Sequence, residues 1–435
     1  MKREGRQGKP ETRSKRTRLL LELALVVLVG FAAGCHQTPP SLKCVFETRP
    51  RPVLESIGLT ASWDPTLAID TAGTLYLFAV YNENSKSRLG LVMSHNGGDT
   101  LGSSIMPISN AGVSIGSHGE QSPSVAMARG DIYALWQQTE QDGSEAIMSA
   151  RSLSWGESFE KPVQVSDKGV ASYKGFPSIG VAPNGDVYAI WLDERDNTDS
   201  NAESSSVYLA KSVDRGARFG QNLLVGRQAC PCCRPSLAFG ARGEVFVAWR
   251  RVFPGEIRDL VVSASQDGGK TFAEPVRVHD DGWKLRGCPD CGATLAEDNG
   301  VLSIAWMTEG RDERPRIELA RSDNGTRSFN QPLEVSAGIL DPNHPAIKTA
   351  DDGTMWLTFQ GRAPTTNGNW GKIQAYVVQI DSRGTPSEPV PIPGSKDSIA
   401  YPTIGLGSGG LIFLAWTQPQ GDHHVVMLSR GRTKS

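Results

Sequence analysis

The chain has 435 residues, of which 38% are hydrophobic and 21% charged, with a formal net charge of −2. That length suits two or three ordinary domains or one large all-β domain, and 47 Gly with 27 Pro favour tight turns over long helices. A balance this close to neutral, on the acidic side, argues against nucleic acid as a partner.

In chain order, residues 1–18 carry eight Lys/Arg against Glu4 and Glu11, and an apolar run from Leu19 to Ala33 is broken only by Glu22. Ala32-Ala33-Gly34-Cys35 follows. A basic region, an apolar stretch and small residues before a cleavage point predict a secretory signal over residues 1–34. The apolar run is short for a membrane span. An uncleaved signal anchor is the other reading. Cysteine directly after Ala-Ala-Gly resembles a bacterial lipobox, which implies an exported chain lipid-anchored to the membrane through Cys35. His36, where Asp would mark the inner membrane, implies the outer membrane or cell surface. Loss of residues 1–34 takes the net charge from −2 to −7. Residues 35–50 then form a tether, and 51–431 a single domain.

From residue 51 onward one phrase of about 57 residues recurs seven times. Each copy opens with Pro or a small residue and a short apolar strand, at Pro65, Pro123, Pro177, Pro235, Ala293, Pro345 and Pro402. A Gly- or Asn-rich turn leads to an alternating second strand that often ends in Trp, as at Val187–Trp191, Val245–Trp249, Leu302–Trp306 and Ile412–Trp416. A third strand and a fourth follow, as in Leu260-Val-Val-Ser and Pro275-Val-Arg-Val. Four antiparallel strands repeated radially predict an all-β fold, a β-propeller of four-stranded blades, with seven repeats counted and six blades as the alternative. The seventh copy stops after three strands. Pro52-Val-Leu-Glu-Ser, at the other end, reads as its missing strand and would close the ring.

Between third and fourth strands stand Ser212-x-Asp214-x-Gly216-x-x-Phe219 and Ser265-x-Asp267-x-Gly269-x-x-Phe272, with weaker copies at Ser94–Leu101, Ser152–Phe159 and Ser322–Phe329. A turn carboxylate accepts backbone N–H groups, Gly supplies positive φ and the aromatic packs beneath, so the motif is structural. These motifs resemble the Asp-box, or bacterial neuraminidase repeat, of the sialidase-like superfamily, and the resemblance covers essentially residues 50–430. It implies a propeller with its ligand site over the central channel, on the face opposite the boxes. Sialidases of this superfamily have six blades, an Arg-Ile-Pro signature and three arginines that clamp a carboxylate. The nearest text to that signature is Thr48-Arg-Pro-Arg-Pro, so sialidase chemistry is not carried over.

Two loops on the predicted ligand face hold the unusual chemistry: Cys230-Pro-Cys232-Cys233-Arg234 and His279 to Cys291, the latter with Trp283, Arg286, Cys288 and Asp290. Three readings stay open for the five cysteines. They are disulfides that staple neighbouring blades, a zinc or copper site with His279 or His344 in reach, or a redox pair at Cys288-x-x-Cys291. Arg234, Arg258 and Arg286 could converge on a carboxylate or sulfate, or pair with Asp259, Asp280, Asp281 or Asp290. Trp283 and Asp290 complete the predicted ligand-binding set. His118, Tyr173, His344, Tyr401, Arg250 and Arg251 reach the same face. Asp64, Glu256 and Asp290 are candidates for a glycosidase carboxylate pair, while Asp193-Glu194-Arg195-Asp196 reads as a solvated loop. No signature of a nucleotide, flavin or haem site is present. The expectation is a propeller that binds a glycan or other anionic small molecule. The alternatives are an exo-acting glycoside hydrolase of sialidase type, a Cys-ligated metal protein and an interaction scaffold without a small ligand.

Overall fold

The computed structural model describes residues 41–434 apart from 60, 141, 198–203, 288, 366–369 and 396–397. The predicted signal, Cys35 and Cys288 lie outside the described residues. The fold is all-β, with two short 3-10 turns, in a propeller-like arrangement of small antiparallel sheets. No helix among the described residues is long and apolar enough to cross a membrane.

Among the described residues the sheets number six, not seven, and not all have four strands. Three are four-stranded, beginning at Ser62–Ile69, Thr294–Asp298 and Leu340–Thr349. A fourth gains a strand because its innermost strand is split into Ser114–Gly116 and Ser124–Ala128, both paired with Asp131–Thr139. The eight-stranded sheet joins two four-strand groups through one pairing, Ala229 with Arg251. The end of Leu223–Ala229 there pairs with the strand Val245–Phe253 of the next group, ahead of Ser236–Phe239.

The last sheet is completed from the N-terminal side. Arg51 and Pro52 pair with Leu428 and Met427, and the Val53 N–H donates to the Val426 carbonyl at 3.1 Å. Cys44–Phe46 also pairs with the last strand, so the expected tether contributes a strand of its own. These pairings cover an edge that would otherwise offer free N–H and C=O groups.

Second strands are the core. Trp136, Trp191, Trp249, Trp306 and Trp416 are fully buried on them. Truncating one such Trp to Ala would cost about 3–5 kcal/mol. The apolar clusters run between consecutive groups of strands. One joins Tyr76, Phe78 and Leu91 to Ile132 and Trp136; another closes the circle by joining Phe413 and Val426 to Leu75, Leu77 and the N-terminal Val53 and Leu54. Neither face of a sheet is left to water, which explains why the second strands are nearly continuous in hydrophobicity.

The serine turns repeat one geometry. The hydroxyls of Ser94, Ser152, Ser212, Ser265 and Ser322 accept the N–H four residues on, from Gly98, Gly156, Gly216, Gly269 and Thr326, at 2.8–3.1 Å. The residue two after each serine (Asn96, Ser154, Asp214, Asp267 or Asn324) accepts the next such N–H. Bonds from the Ser212 hydroxyl and the Arg218 backbone hold the Asp214 carboxyl down at about 2. Asn and Ser make the same turn because only an acceptor oxygen is needed.

Candidate functional site

Four of the six prolines that open repeats mark a bulge. Pro has no N–H for the ladder, and the register of the innermost strands shifts at Trp63/Thr66, Gly175/Ser178, Asn343/Ala346 and Ala400/Thr403. The residue before the proline swings to positive φ: Asp64 at 49°, Phe176 at 55°, His344 at 51° and Tyr401 at 50°. Bulges re-aim side chains. In the second sheet the interruption is longer, residues 117–123, and carries Ser117, His118, Gly119, Glu120 and Gln121.

Asp64, Glu120, Arg234, His344 and Tyr401 line one cavity of 310 Å³. A second, of 500 Å³, shares Asp64, Gly119 and Tyr401 with it and adds Trp63, His118, His423 and His424. A larger cavity of 970 Å³ is lined by Arg129, Asn184, Gly185 and Arg215, near the serine turns, and shares Leu237, Leu295, Ile347 and Lys348 with the first. The residues that the sequence placed on the ligand face, His118, Arg234, His344 and Tyr401, line the first two.

The side chains there hold one another in place. The Asp64 carboxylate accepts the Ser117 hydroxyl, whose oxygen also accepts the Trp63 indole N–H at 3.1 Å. Burial pushes the Asp64 carboxyl up to about 6, against the opposing pull of Ser117 and Arg234. Glu120 accepts the Gly292 N–H at 2.9 Å through Oε2, and its Oε1 lies 3.0 Å from His344 Nδ1. Burial works to raise the Glu120 carboxyl too, but His344, Arg234 and the Gly292 N–H together hold it below the usual range. Asp290 is raised, by burial and then by the charge of Glu120. The Tyr401 hydroxyl points at Asp290 Oδ2 at 3.5 Å, and its ring tilts against His344 with centroids 4.5 Å apart. Tyr173 donates to Gln121 in the same belt.

Of the predicted arginines, Arg234 alone among the described residues lines this mouth. It is committed to the Glu120 carbonyl at 2.8 Å and to the carbonyl and hydroxyl of Ser122. Arg258 is buried, bonded to the Leu285 carbonyl at 3.0 Å, Glu256 and the Cys230 sulfur at 3.1 Å. Arg286 is exposed. The three do not converge, because Arg258 is spent on buried partners around Cys230 and Arg286 is turned to solvent. Trp283 is also withdrawn: it is 4% exposed, in the core beneath the Arg250 guanidinium, so it has no face for a ligand. Glu256 lies with Arg258, away from Asp64 and Asp290. Asp193 is not solvated but fully buried, held by Arg195, Ser172 and the Trp191 indole.

The cysteines divide in two. The sulfurs of Cys230, Cys232 and Cys233 lie within 4.8 Å of one another. A bond from the Cys233 thiol, with the guanidinium groups of Arg258 and Arg250, lowers the Cys230 thiol despite its burial, while burial raises Cys233. Cys232 is disulfide-bonded, which leaves two thiols here, too few for a soft-metal donor set, and two buried guanidinium groups already supply positive charge at Cys230, so the environment fits a thiolate better than a cation. Cys291 turns the other way, toward Glu120 and His344. Cys44, Cys230, Cys233 and Cys291 are free thiols, whereas Cys232 is disulfide-bonded. His279 pairs with Asp281 at 2.7 Å. Sequence reasoning missed Glu120 and Ser117; the unusually long interval between the strand at 114–116 and Pro123 was the available signal.

No protein-family model and no curated protein matches the chain. Solved structures do. A protein of unknown function from Dyadobacter fermentans superposes with a TM-score of 0.53 at 14% identity, over 75% of this chain and 96% of that one. Polysaccharide lyase Uly1 gives 0.52 at 10% identity, over 85% and 90%. A Hadza microbial sialidase gives 0.49 at 16%, over 69% and 63%. At these identities the likeness is one of fold.

Proposed function

We propose that this chain is an exported, lipid-anchored propeller that binds an acidic glycan at the channel mouth. We read the eight-stranded sheet as two blades, which gives seven, and the serine turns as Asp-boxes. The observation that carries the reading is the pair of joined cavities between Trp63 and Tyr401, with carboxylates Asp64, Glu120 and Asp290 around them. Aromatic faces beside hydrogen-bonding carboxylates suit the apolar faces and hydroxyls of a sugar. Lys348 lines both this cavity and the 970 Å³ one, and the desolvating protein around it holds its ammonium below the usual lysine range. It offers a counter-charge to a uronate or sialate carboxylate. The superposable polysaccharide lyase Uly1 supports a polysaccharide as the ligand class.

Calorimetric titration of the detergent-purified chain with acidic and neutral oligosaccharides tests this. Trp63→Ala should weaken binding of an acidic sugar at least tenfold, and Arg129→Ala, at the far end of the channel, should leave it unchanged. Binding indifferent to Trp63→Ala, or no binding at all, sinks the proposal.

Hydrolysis is the second reading, favoured by the raised Asp64 carboxyl beside Asp290 and Tyr401, since a general acid must keep its proton near neutrality. Against it stands the single arginine at the mouth among the described residues, where a sialidase clamp needs three. Absence of turnover on fluorogenic sialosides and uronosides would remove it.

A further inference from the structure

We propose that Glu120, Cys291 and His344 form a zinc site with one coordination position open to the channel mouth. The three come from three different sheets or the loops that enter them, and their Oε, Sγ and Nδ1 or Nε2 atoms all lie within 4.8 Å of one another. Zinc binds carboxylate, thiolate and imidazole at about 2.0–2.3 Å, which sets tetrahedral donors about 3.3–3.8 Å apart. His344 Nδ1 and Glu120 Oε1 are already 3.0 Å apart. A modest inward shift of the sulfur completes the set.

The surroundings hold these donors in position. The Gly292 N–H fixes Glu120 Oε2 and leaves Oε1 turned to His344. A Cβ on Gly292 would stand 2.3 Å from the Arg234 carbonyl and 2.9 Å from Glu120 Oε2, and one on Gly119 would stand 2.3 Å from Asp290 Oδ2. Only glycine lets these chains approach so closely. His344 sits at φ 51°, a conformation that costs a side-chain-bearing residue energy and that gathers at functional sites. Charge also balances. Arg234 and Arg250 are near, but Arg234 spends its Nε and Nη2 on backbone and hydroxyl oxygens, and Asp290 adds a second carboxylate beside Glu120. Glu120 and His344 line the 310 Å³ cavity while Cys291 is 1% exposed, so the sulfur closes the inner side and the fourth position faces the mouth. Three protein ligands with one open position is the pattern of zinc that meets a ligand, in contrast to closed structural sites.

The site stands or falls without reference to glycans. The test is cobalt titration of the metal-free full chain with the Cys232 disulfide intact, followed by X-ray absorption of the zinc-loaded form. One equivalent should bind with a sulfur-to-cobalt charge-transfer absorption. Cys291→Ser should abolish that absorption, and His344→Gln should weaken binding at least tenfold. The double variant Cys230→Ser, Cys233→Ser should keep both. X-ray absorption on the wild type, which depends on no variant folding, should give one sulfur among nitrogen and oxygen neighbours. No charge-transfer band, a band lost with Cys230 and Cys233 instead, or a shell of several sulfurs overturns the proposal.

Discussion

A single carboxyl shows how the fold sets chemistry at the residue scale. Asp64 is an aspartate at the start of a strand, and nothing in its neighbours predicts an altered proton affinity. The bulge at Pro65 turns it inward, and burial lifts it from 3.8 to about 6. The folded state therefore holds a proton that the unfolded chain releases, so stability declines as pH rises from about 4 to about 6 and stays lower above. A shift of this size corresponds to about 2–3 kcal/mol. Asp64→Asn should raise the melting temperature at pH 7.5 and leave it nearly unchanged at pH 4, a contrast that thermal melts across pH would read. Cys230 shifts the other way. The Cys233 thiol, Arg258 and Arg250 favour its thiolate, so its contribution to stability is present in the range where an unfolded thiol ionises and is lost as pH falls through the lowered value. Arg258→Met should remove most of one equivalent of thiolate ultraviolet absorbance at pH 7. Unchanged absorbance would show that the guanidinium groups do not control this thiol.

At the scale of the element, the turns and the bulges differ in how readable they are. The serine turns were visible as Ser-x-Asp-x-Gly because the turn is local: every partner lies within four residues. Replacing Ser265 by Ala removes the acceptor for the Gly269 N–H and should cost about 1 kcal/mol. Gly269→Ala should cost more, because φ is +82° and the new Cβ would meet the Tyr188 ring at 2.9 Å. Gly300→Ala, at φ +83° with open space around it, should lose only the backbone strain. Urea unfolding of the two variants would separate packing from strain. The bulges were half visible. Each opening proline was seen, but not that the residue before four of them would cross to positive φ, or that three of these, Asp64, His344 and Tyr401, would line the mouth. Arg258 and Trp283 failed as ligand residues for a related reason. Sequence places them in a loop near the mouth, whereas their burial depends on the Arg250 and Leu285 contacts made across strands.

Across the whole molecule, stability rests on joining the two ends of the chain. Val53 and Leu54, each 1% exposed, pack with Phe413 and Val426, and Arg51–Pro52 and Cys44–Phe46 both pair with the last strand. Deleting residues 1–54 should remove this cluster and open a strand edge. A melting temperature lowered by 10 °C or more, with concentration-dependent association in sedimentation, is the expected outcome. Unchanged melting would mean that the remaining sheets hold without that closure.

Sequence by itself determined the all-β class, the turn chemistry and the segment that closes the last sheet, because all three follow from local hydrogen-bond needs and from period-two burial, but not the number of sheets or of strands in each. It also pointed to the end of the molecule where polar residues gather. Only the tertiary structure decided which residues meet there. Glu120 joins Cys291 and His344, and Asp64 joins Ser117, across 53 to 224 positions of sequence. Such meetings are fixed by the ring of sheets bringing innermost strands around one channel, and no spacing along the chain encodes that circle.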